Sequence, residues 1–240
     1  WTLSRGLGDV YKRQLLQPSH LVLAVSDGMG GGSAGELASR LVLSWVKRNS
    51  AELYQTLQEA TEDCRATALG RLMGEAHSGL NNLAAQEPSL EGMGATLTLV
   101  WLTPGGLSFA HIGDSRLYLQ RSGKTTQLTR DHSHVWAEWK RGDITEYVYR
   151  THPRRSALSD ALGGGHPKIQ PQIESHPLLS GDRLMLCTDG ITDGLWERGL
   201  EAELSSSSEA KECSFQVLQR ARDNSSVDDA TLIVADIAEL

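Results

Sequence analysis

The chain has 240 residues, 39% of them hydrophobic, and 30 acidic against 23 basic residues give a formal net charge of −7. This composition is sufficient for a packed core, and the acidic balance argues against binding to nucleic acid or to an anionic membrane surface. Three scattered cysteines exclude a disulfide framework and favour a cytoplasmic protein, and no apolar run approaches the ~20 residues of a membrane-spanning helix.

Hydrophobic periodicity predicts a mixture of helices and strands. In chain order it predicts a strand at 20–26, a helix from 33 to about 48, a long helical stretch at 51–85 that three glycines weaken, strands at 94–103, 107–112, 115–120 and 125–128, a polar excursion at 131–165 with a helix near 134–141, a strand at 183–188, a helix at 206–222 and a strand at 230–237. Meandering strands with segregated helices favour an α+β fold over a doubly wound parallel sheet. Because no linker divides the strands, we expect one domain.

Four aspartates adjoin the predicted strands. Asp27 and Asp189 follow buried strands, Asp228 precedes the last strand, and Asp114 lies at a turn between two strands. If these strand ends converge, the like charges repel one another, and hard divalent cations such as Mg²⁺ or Mn²⁺ relieve the repulsion. The carbonyl of Gly28 could approach such an ion closely, and paired ions can activate a water for attack on phosphorus. A single Asp-Gly pair after a strand is most often only a turn.

Other patterns give weaker predictions. The glycine-rich segment at 28–35 is not a P-loop, since Glu36 and Leu37 occupy the places of Lys and Ser or Thr. The histidines of 111–134 do not have the spacing of a structural zinc site. Trp136 and Trp139 in the excursion either contact a protein substrate or pack on the domain.

Six segments in order resemble a known family. They are VSDGMGG at 25–31 with GELAS at 35–39, GMGATL at 92–97, AHIGDSRLY at 110–118, LTRDHS at 128–133, CTDGITDG at 187–194 and DDAT at 228–231. Together they resemble the metal-dependent protein phosphatases, the protein phosphatase 2C family, in its bacterial form. The resemblance implies an αββα sandwich of two antiparallel sheets flanked by helix pairs, with the excursion at about 131–165 as a flap beside the active site.

The resemblance also implies residue roles. Asp27 would bridge two metal ions, Gly28 would ligate one ion through its carbonyl, and Asp189 and Asp228 would complete the centre, so that these three aspartates are the catalytic set. Asp114 would form a third metal site with Asp189. The ions would be Mn²⁺ or Mg²⁺, two in number with a possible third. The implied reaction is hydrolysis of phosphoserine and phosphothreonine in proteins by a metal-bound hydroxide.

The implied partners are phosphoproteins modified by a Ser/Thr kinase. We expect a cytoplasmic monomer that binds neither nucleic acid nor a membrane. Met29 occupies a position where animal members carry a proposed acid histidine, so water would protonate the leaving group. Asp223 competes with Asp228 as the last ligand, and we choose Asp228 because Thr231 and an apolar strand follow it.

The chain departs from the family at its start. The usual Arg-x-x-Asn-Glu-Asp motif, which clamps phosphate and ligates metal, is missing, and residues 1–14 do not resemble the family. We therefore expect residues 1–14 to be non-native, residues 15–240 to form the catalytic domain, and one edge strand to be lost. The alternative function is a catalytically impaired, phosphatase-like module that regulates by binding proteins.

Overall fold

The computed structural model of the protein describes residues 10–17, 20–30, 33–57, 61–206, 209–224 and 229–238. The strands are β1 Val10–Gln17, β2 His20–Val25, β3 Gly28–Met29, β4 Gly94–Ala95, β5 Leu97–Thr103, β6 Gly106–Ile112, β7 Arg116–Arg121, β8 Lys124–Gln127, β9 Leu162–Gly163, β10 Gln172–His176, β11 Arg183–Cys187 and β12 Leu232–Asp236. The helices are α1 Ser33–Leu57, α2 Glu62–Gln86, α3 His134–Arg141, α4 Glu146–Thr151, α5 Asp189–Gly194, α6 Glu197–Leu204 and α7 Ala210–Asp223, with a 3-10 turn at Pro88–Leu90.

The strands form two large antiparallel sheets. The first has the order β1-β2-β5-β6-β10 and the second has the order β12-β11-β7-β8. A small third sheet, β3-β4-β9, joins the start of α1 to the end of the excursion.

The two large sheets stack with helices on both outer faces. Val22 and Ala24 of β2 pack in a core with α1 and α2, whereas Leu21 and Leu23 pack between the sheets. This alternation follows from the two-residue period of a strand. A third core joins the outer face of the second sheet to α5, α6 and α7. The molecule is thus an α+β sandwich of four layers, αββα, and the predicted fold class is confirmed.

Several boundaries differ from the prediction. The first helix continues to Leu57, and the second is unbroken although it contains three glycines. Gly74 and Gly79 have open space around them, and packing of the helix on the first sheet offsets the ~1 kcal/mol that each glycine costs. The predicted strand at 94–103 is divided at Thr96, and β10, α5 and α6 have no counterpart in the sequence prediction.

The expected loss of an edge strand is wrong. Val10–Gln17 forms β1 and pairs with β2 from Gln17 opposite His20 to Val10 opposite Val25. Main-chain hydrogen bonds require no particular side chains, so a segment that lacks the family motif can still cover the edge of β2. The assignment of residues 1–14 as non-native stays a prediction.

Candidate metal centre

The first sheet brings two of the predicted aspartates to one end. Val25, at the end of β2, lies opposite Thr98, and Thr98 lies opposite His111 near the end of β6. Asp27 follows Val25 by two residues, and Asp114 follows His111 by three. Both aspartates therefore leave the sheet at the same end.

The second sheet brings Asp189 to that end as well. Arg116, at the start of β7, lies opposite Cys187 at the end of β11, and Cys187 lies opposite Leu232 at the start of β12. Asp114 precedes β7 and Asp189 follows β11. The register of both sheets thus places Asp27, Asp114 and Asp189 at one end of the sandwich.

Thr96 fixes the main chain of Asp27. The N–H of Asp27 donates to Thr96 Oγ1 at 2.9 Å, and the N–H of Thr96 donates to the Asp27 carbonyl at 2.8 Å. Ser26 Oγ donates to the Thr96 carbonyl at 2.6 Å, and Thr96 Oγ1 also lies 2.8 Å from Ser115 Oγ. We did not predict this role, because Thr96 is one of three threonines in the predicted strand at 94–103 and nothing in the sequence distinguishes it from the others.

Gly28 packs directly against the first turn of α1. A Cβ atom at Gly28 would lie 1.9 Å from the carbonyl oxygen of Gly35. Only glycine allows this approach, which holds the Gly28 main chain beside Asp27. Gly30 has a φ of +107°, a conformation that also favours glycine and turns the chain into α1.

Asp114 carries a clear electrostatic signal. Its side chain is half-buried, and its pKa is raised to about 7, first by burial and then by the negative charges of Asp131 and Asp27. The guanidinium of Arg116 opposes this shift only in part. Asp27 and Asp114 are therefore close enough to repel, and the site has excess negative charge.

A buried ion pair lies behind Asp114. Arg116 Nε donates to both carboxylate oxygens of Asp131 at 2.9 and 3.0 Å, and its Nη2 donates to Oδ2 at 2.7 Å. The same guanidinium donates to the hydroxyls of Tyr118 and Tyr149, at 3.0 and 2.9 Å. Gln127 Nε2 donates to Asp131 Oδ1 at 2.8 Å. This network joins the second sheet to α4 of the flap.

Asp189 begins α5, and the preceding residue ties it to the segment before β12. The N–H of Thr188 donates to the Thr231 carbonyl at 3.0 Å, and the N–H of Thr231 donates to Thr188 Oγ1 at 3.1 Å. A Cβ at Gly190 would lie 2.5 Å from the Asp229 carbonyl oxygen. The main chain of Asp229 thus lies close to the residue that follows Asp189, while the predicted ligand Asp228 lies outside the described residues.

The flap is tied to α5 by two arginines. Arg155 pairs with both carboxylate oxygens of Asp193, and this hydrogen bonding raises the pKa of Arg155, with a smaller contribution from Asp189. Arg150 Nη1 donates to the Thr192 carbonyl at 2.7 Å. The base of the flap is therefore fixed beside Asp189.

The available donors are oxygens, which suit Mg²⁺ or Mn²⁺. They are the carboxylates of Asp27, Asp114 and Asp189 and the carbonyl of Gly28. Within the part of the chain that the structure describes, no group of three or more His, Cys, Asp or Glu side chains is arranged as a metal site. The pKa of Asp114 is nevertheless raised in part by neighbouring acids, and a bound dication would neutralise this repulsion. The described residues thus fit such an ion in donor chemistry and charge and supply part of its ligands.

Comparison with known proteins identifies the family. The family model for protein phosphatase 2C matches residues 9–232. The chain belongs to the protein phosphatase 2C family. The resemblance drawn from the six sequence segments is thereby confirmed.

Within the protein phosphatase 2C family, the similar proteins are bacterial. The chain is 33% identical to the serine/threonine protein phosphatase PstP of Mycobacterium tuberculosis over 98% of its length, but it spans only 44% of that protein. It is 30% identical to the serine/threonine phosphatase stp of Listeria innocua, over 95% of this chain and 88% of the relative. A solved structure of the catalytic domain of PstP in complex with two manganese ions superposes with a TM-score of 0.80 at 30% identity, covering 99% of this chain and 96% of that one.

None of the helices in the described ranges is both long and apolar enough to cross a membrane.

Proposed function

We propose that this member of the protein phosphatase 2C family hydrolyses phosphoserine and phosphothreonine in proteins with the help of divalent metal ions. The register that gathers Asp27, Asp114 and Asp189 at one end of the sandwich carries the proposal. The names of the bacterial relatives and the two manganese ions of the PstP structure support it. The substrates would be proteins phosphorylated by a Ser/Thr kinase.

The ligands would be Asp27, the Gly28 carbonyl, Asp189 and Asp228, with Asp114 and Asp189 available to a third ion. When bound, Mn²⁺ or Mg²⁺ ions would supply Lewis-acid activation of water and of the phosphate.

The chain's own residues would position these groups. Thr96 holds the main chain of Asp27 through a reciprocal pair of hydrogen bonds. Arg116 pairs with Asp131 and offsets part of the repulsion that Asp131 and Asp27 exert on Asp114. Met29 packs near the flap glycine Gly164 and has no proton to donate, so the leaving group would be protonated by water.

The test is metal-dependent hydrolysis of a phosphothreonine peptide. With added Mn²⁺, Asp27→Asn should lose more than about 100-fold in kcat/KM, because even the residues that only orient metal ligands typically contribute 10–100-fold. Calorimetric titration with Mn²⁺ should show weakened binding in the same variant. Asp63→Asn is the matched control, since Asp63 is exposed in the first turn of α2. Equal activity of wild type and Asp27→Asn would refute the proposal.

The second candidate function is a protein-binding regulatory module. The lack of a three-ligand group among the described residues favours this alternative. It predicts that the chain binds a phosphoprotein but neither hydrolyses it nor binds Mn²⁺. The same titration and assay therefore separate the two candidates.

A further inference from the structure

The small third sheet carries Gly28 but consists of very short strands. β3, β4 and β9 have two residues each, with Gly28 opposite Ala95 and Gly94 opposite Gly163. These pairings are too few to be stable alone, since even a complete two-stranded hairpin is only marginally stable in water. Contacts from other elements must therefore hold this sheet in place.

The turn after β9 depends on main-chain hydrogen bonds. Residues 163–165 are all glycine, so no side chain of this turn can pack against the rest of the molecule. The N–H of Gly164 donates to the Met93 carbonyl at 2.7 Å. The N–H groups on either side of it, those of Gly163 and Gly165, donate to side chains of α2.

His77 of α2 binds the first of these two N–H groups. Its side chain is buried, at 7% exposed, and its Nδ1 lies 3.1 Å from the main-chain nitrogen of Gly163. Because a main-chain N–H can only donate, Nδ1 must be the unprotonated nitrogen of a neutral ring. Burial lowers the pKa of His77, against the charge of Asp160, and this keeps the ring neutral at pH 7.

Asn81, one helical turn later, binds the other end of the same turn. Its Oδ1 accepts from the N–H of Gly165 at 3.2 Å, and its Nδ2 donates to the carbonyl of His166 at 3.1 Å. Its Nδ2 also lies 3.1 Å from Nε2 of His77. Residues four apart lie on one face of a helix, so His77 and Asn81 act on the turn as a pair.

The small sheet connects this pair to the metal centre. β4 lies between β9 and β3 and pairs with both. In β4, Ala95 lies opposite Gly28, and the N–H of the next residue, Thr96, donates to the Asp27 carbonyl at 2.8 Å. A displacement of β9 would therefore displace the main chain of Asp27 and Gly28, which are two of the proposed metal ligands.

We propose that His77 and Asn81 are positioning residues for the metal centre: by binding the turn after β9, they determine where the small sheet holds Asp27 and Gly28. Neither side chain would contact metal or substrate. The effect on metal binding and on kinetics rests on the proposed function, whereas the effect on the main chain at Asp27 requires neither a bound metal nor catalysis.

Substitutions of His77 separate the contacts of its two nitrogens. The side-chain oxygen of asparagine can accept from Gly163 in place of Nδ1, whereas glutamine reaches toward Asn81 in place of Nε2. His77→Ala removes both contacts. We therefore expect His77→Asn to retain most of the wild-type behaviour that His77→Gln and His77→Ala lose.

His20 provides the matched control. Its Nδ1 also accepts from a group that can only donate, Nε1 of Trp101, at 3.3 Å. His20 begins β2, at the opposite end of the strand from Asp27. His20→Ala thus removes a hydrogen bond of the same kind far from the small sheet.

Hydrogen exchange of the metal-free protein, followed by NMR, tests the effect on the main chain. In His77→Ala the protection factors of the Gly163 and Thr96 amides should fall at least about 10-fold, as the loss of one buried hydrogen bond predicts. The amide of Leu128, which donates to the Leu117 carbonyl in the second sheet, should change much less. An equal fall at Thr96 and Leu128 would mean a general loss of stability and would overturn the proposal.

Calorimetric titration with Mn²⁺ tests the effect on the metal centre. His77→Ala and His77→Gln should bind Mn²⁺ about 10-fold more weakly, the lower end of the range for residues that support metal ligands. His77→Asn and His20→Ala should remain within about 2-fold of the wild type. The kcat/KM for a phosphothreonine peptide should follow the same order.

Three results would overturn the proposal: unchanged protection of Thr96 in His77→Ala, equal Mn²⁺ affinity of His77→Gln and His77→Asn, or an equal loss of affinity in His20→Ala. If the wild type binds no Mn²⁺, the proposed function fails, and the protection of Thr96 alone decides whether His77 positions the main chain of Asp27.

Discussion

Two parts of the same strand face differ sharply. Phe109 and His111 in β6 are two residues apart, so their side chains lie on the same side of the sheet, and both are 0% exposed. Phe109 packs among aliphatic side chains between the sheets. His111 lies 2.9 Å from Thr98 Oγ1, and its Nε2 donates to the Arg130 carbonyl at 3.2 Å.

The apolar part of this face mainly stabilises the fold, whereas the polar part holds particular groups in fixed positions. Apolar contacts are non-directional and tolerate substitutions that conserve volume. Buried hydrogen bonds have fixed partners, and removing one partner leaves the other unsatisfied. The polar end of the sandwich, which carries the candidate metal centre, should therefore be much less tolerant of conservative changes than the middle.

The buried ion pair at the polar end should show the largest effect. Arg116 and Asp131 have side chains that are only 3% and 1% exposed. Asp131→Asn removes the charge that balances the buried guanidinium, and we expect a loss of about 3–5 kcal/mol in the free energy of unfolding, measured in urea.

An exposed pair provides the control for this ion pair. Arg40 and Glu36 pair at 3.0 Å on the surface of α1, with side chains 62% and 66% exposed. Glu36→Gln should cost less than about 1 kcal/mol. If the two substitutions cost the same, burial of the ion pair has no special role.

The second prediction concerns pH and His111. Burial, and after it the nearby charge of His132, lowers the pKa of His111 to about 3. The unfolded state, with a pKa near 6.5, therefore takes up this proton first as pH falls. The contribution of His111 to the free energy of unfolding is fully present above pH 6.5. It decreases as the pH falls toward 3, by up to about 1.4 kcal/mol per pH unit.

His111→Gln removes this titration. Its free energy of unfolding should fall less steeply than that of the wild type between about pH 6.5 and 4.5, by up to about 3 kcal/mol in total. Parallel curves for the two proteins would show that His111 is not responsible for the acid sensitivity. Urea unfolding at several pH values measures the difference.

Much of the fold follows from local sequence patterns. β2, β6 and β11 are apolar runs bounded by turn residues, and the helix near 134–141 is found as predicted at His134–Arg141. β10 was not predicted, because Gln172–His176 contains a single apolar residue, and it is a strand because it pairs with β6. α5 was not predicted because two of its six residues are glycine.

The candidate site, like the fold, is only partly predictable from the sequence. Strand-end aspartates are visible in the sequence, and the register of the sheets places Asp27, Asp114 and Asp189 at one end of the sandwich. The residues that support them have no local signal. Thr96 is 69 residues from its partner Asp27, and Arg155 is 38 residues from Asp193. Such contacts depend on tertiary structure, and the proposed ligand Asp228 lies outside the described ranges.

The smallest predicted effect compares one conservative substitution in each region. Thr96→Val keeps the shape of a 3% exposed side chain but leaves the N–H of Asp27 without its acceptor, at a cost of about 1–3 kcal/mol. Leu186→Met in the core between the sheets keeps volume and breaks no hydrogen bond, so it should cost less than about 1.5 kcal/mol.

Phosphatase activity should separate these two variants further. The comparison is made at temperatures where both variants are folded, so that lost stability does not explain lost activity. Thr96→Val should still reduce metal-dependent kcat/KM there, because Thr96 fixes the main chain of Asp27. Leu186→Met should retain wild-type kinetics at the same temperatures. Equal losses in the two variants would mean that the polar end tolerates change as well as the apolar core does, and that Thr96 contributes packing alone.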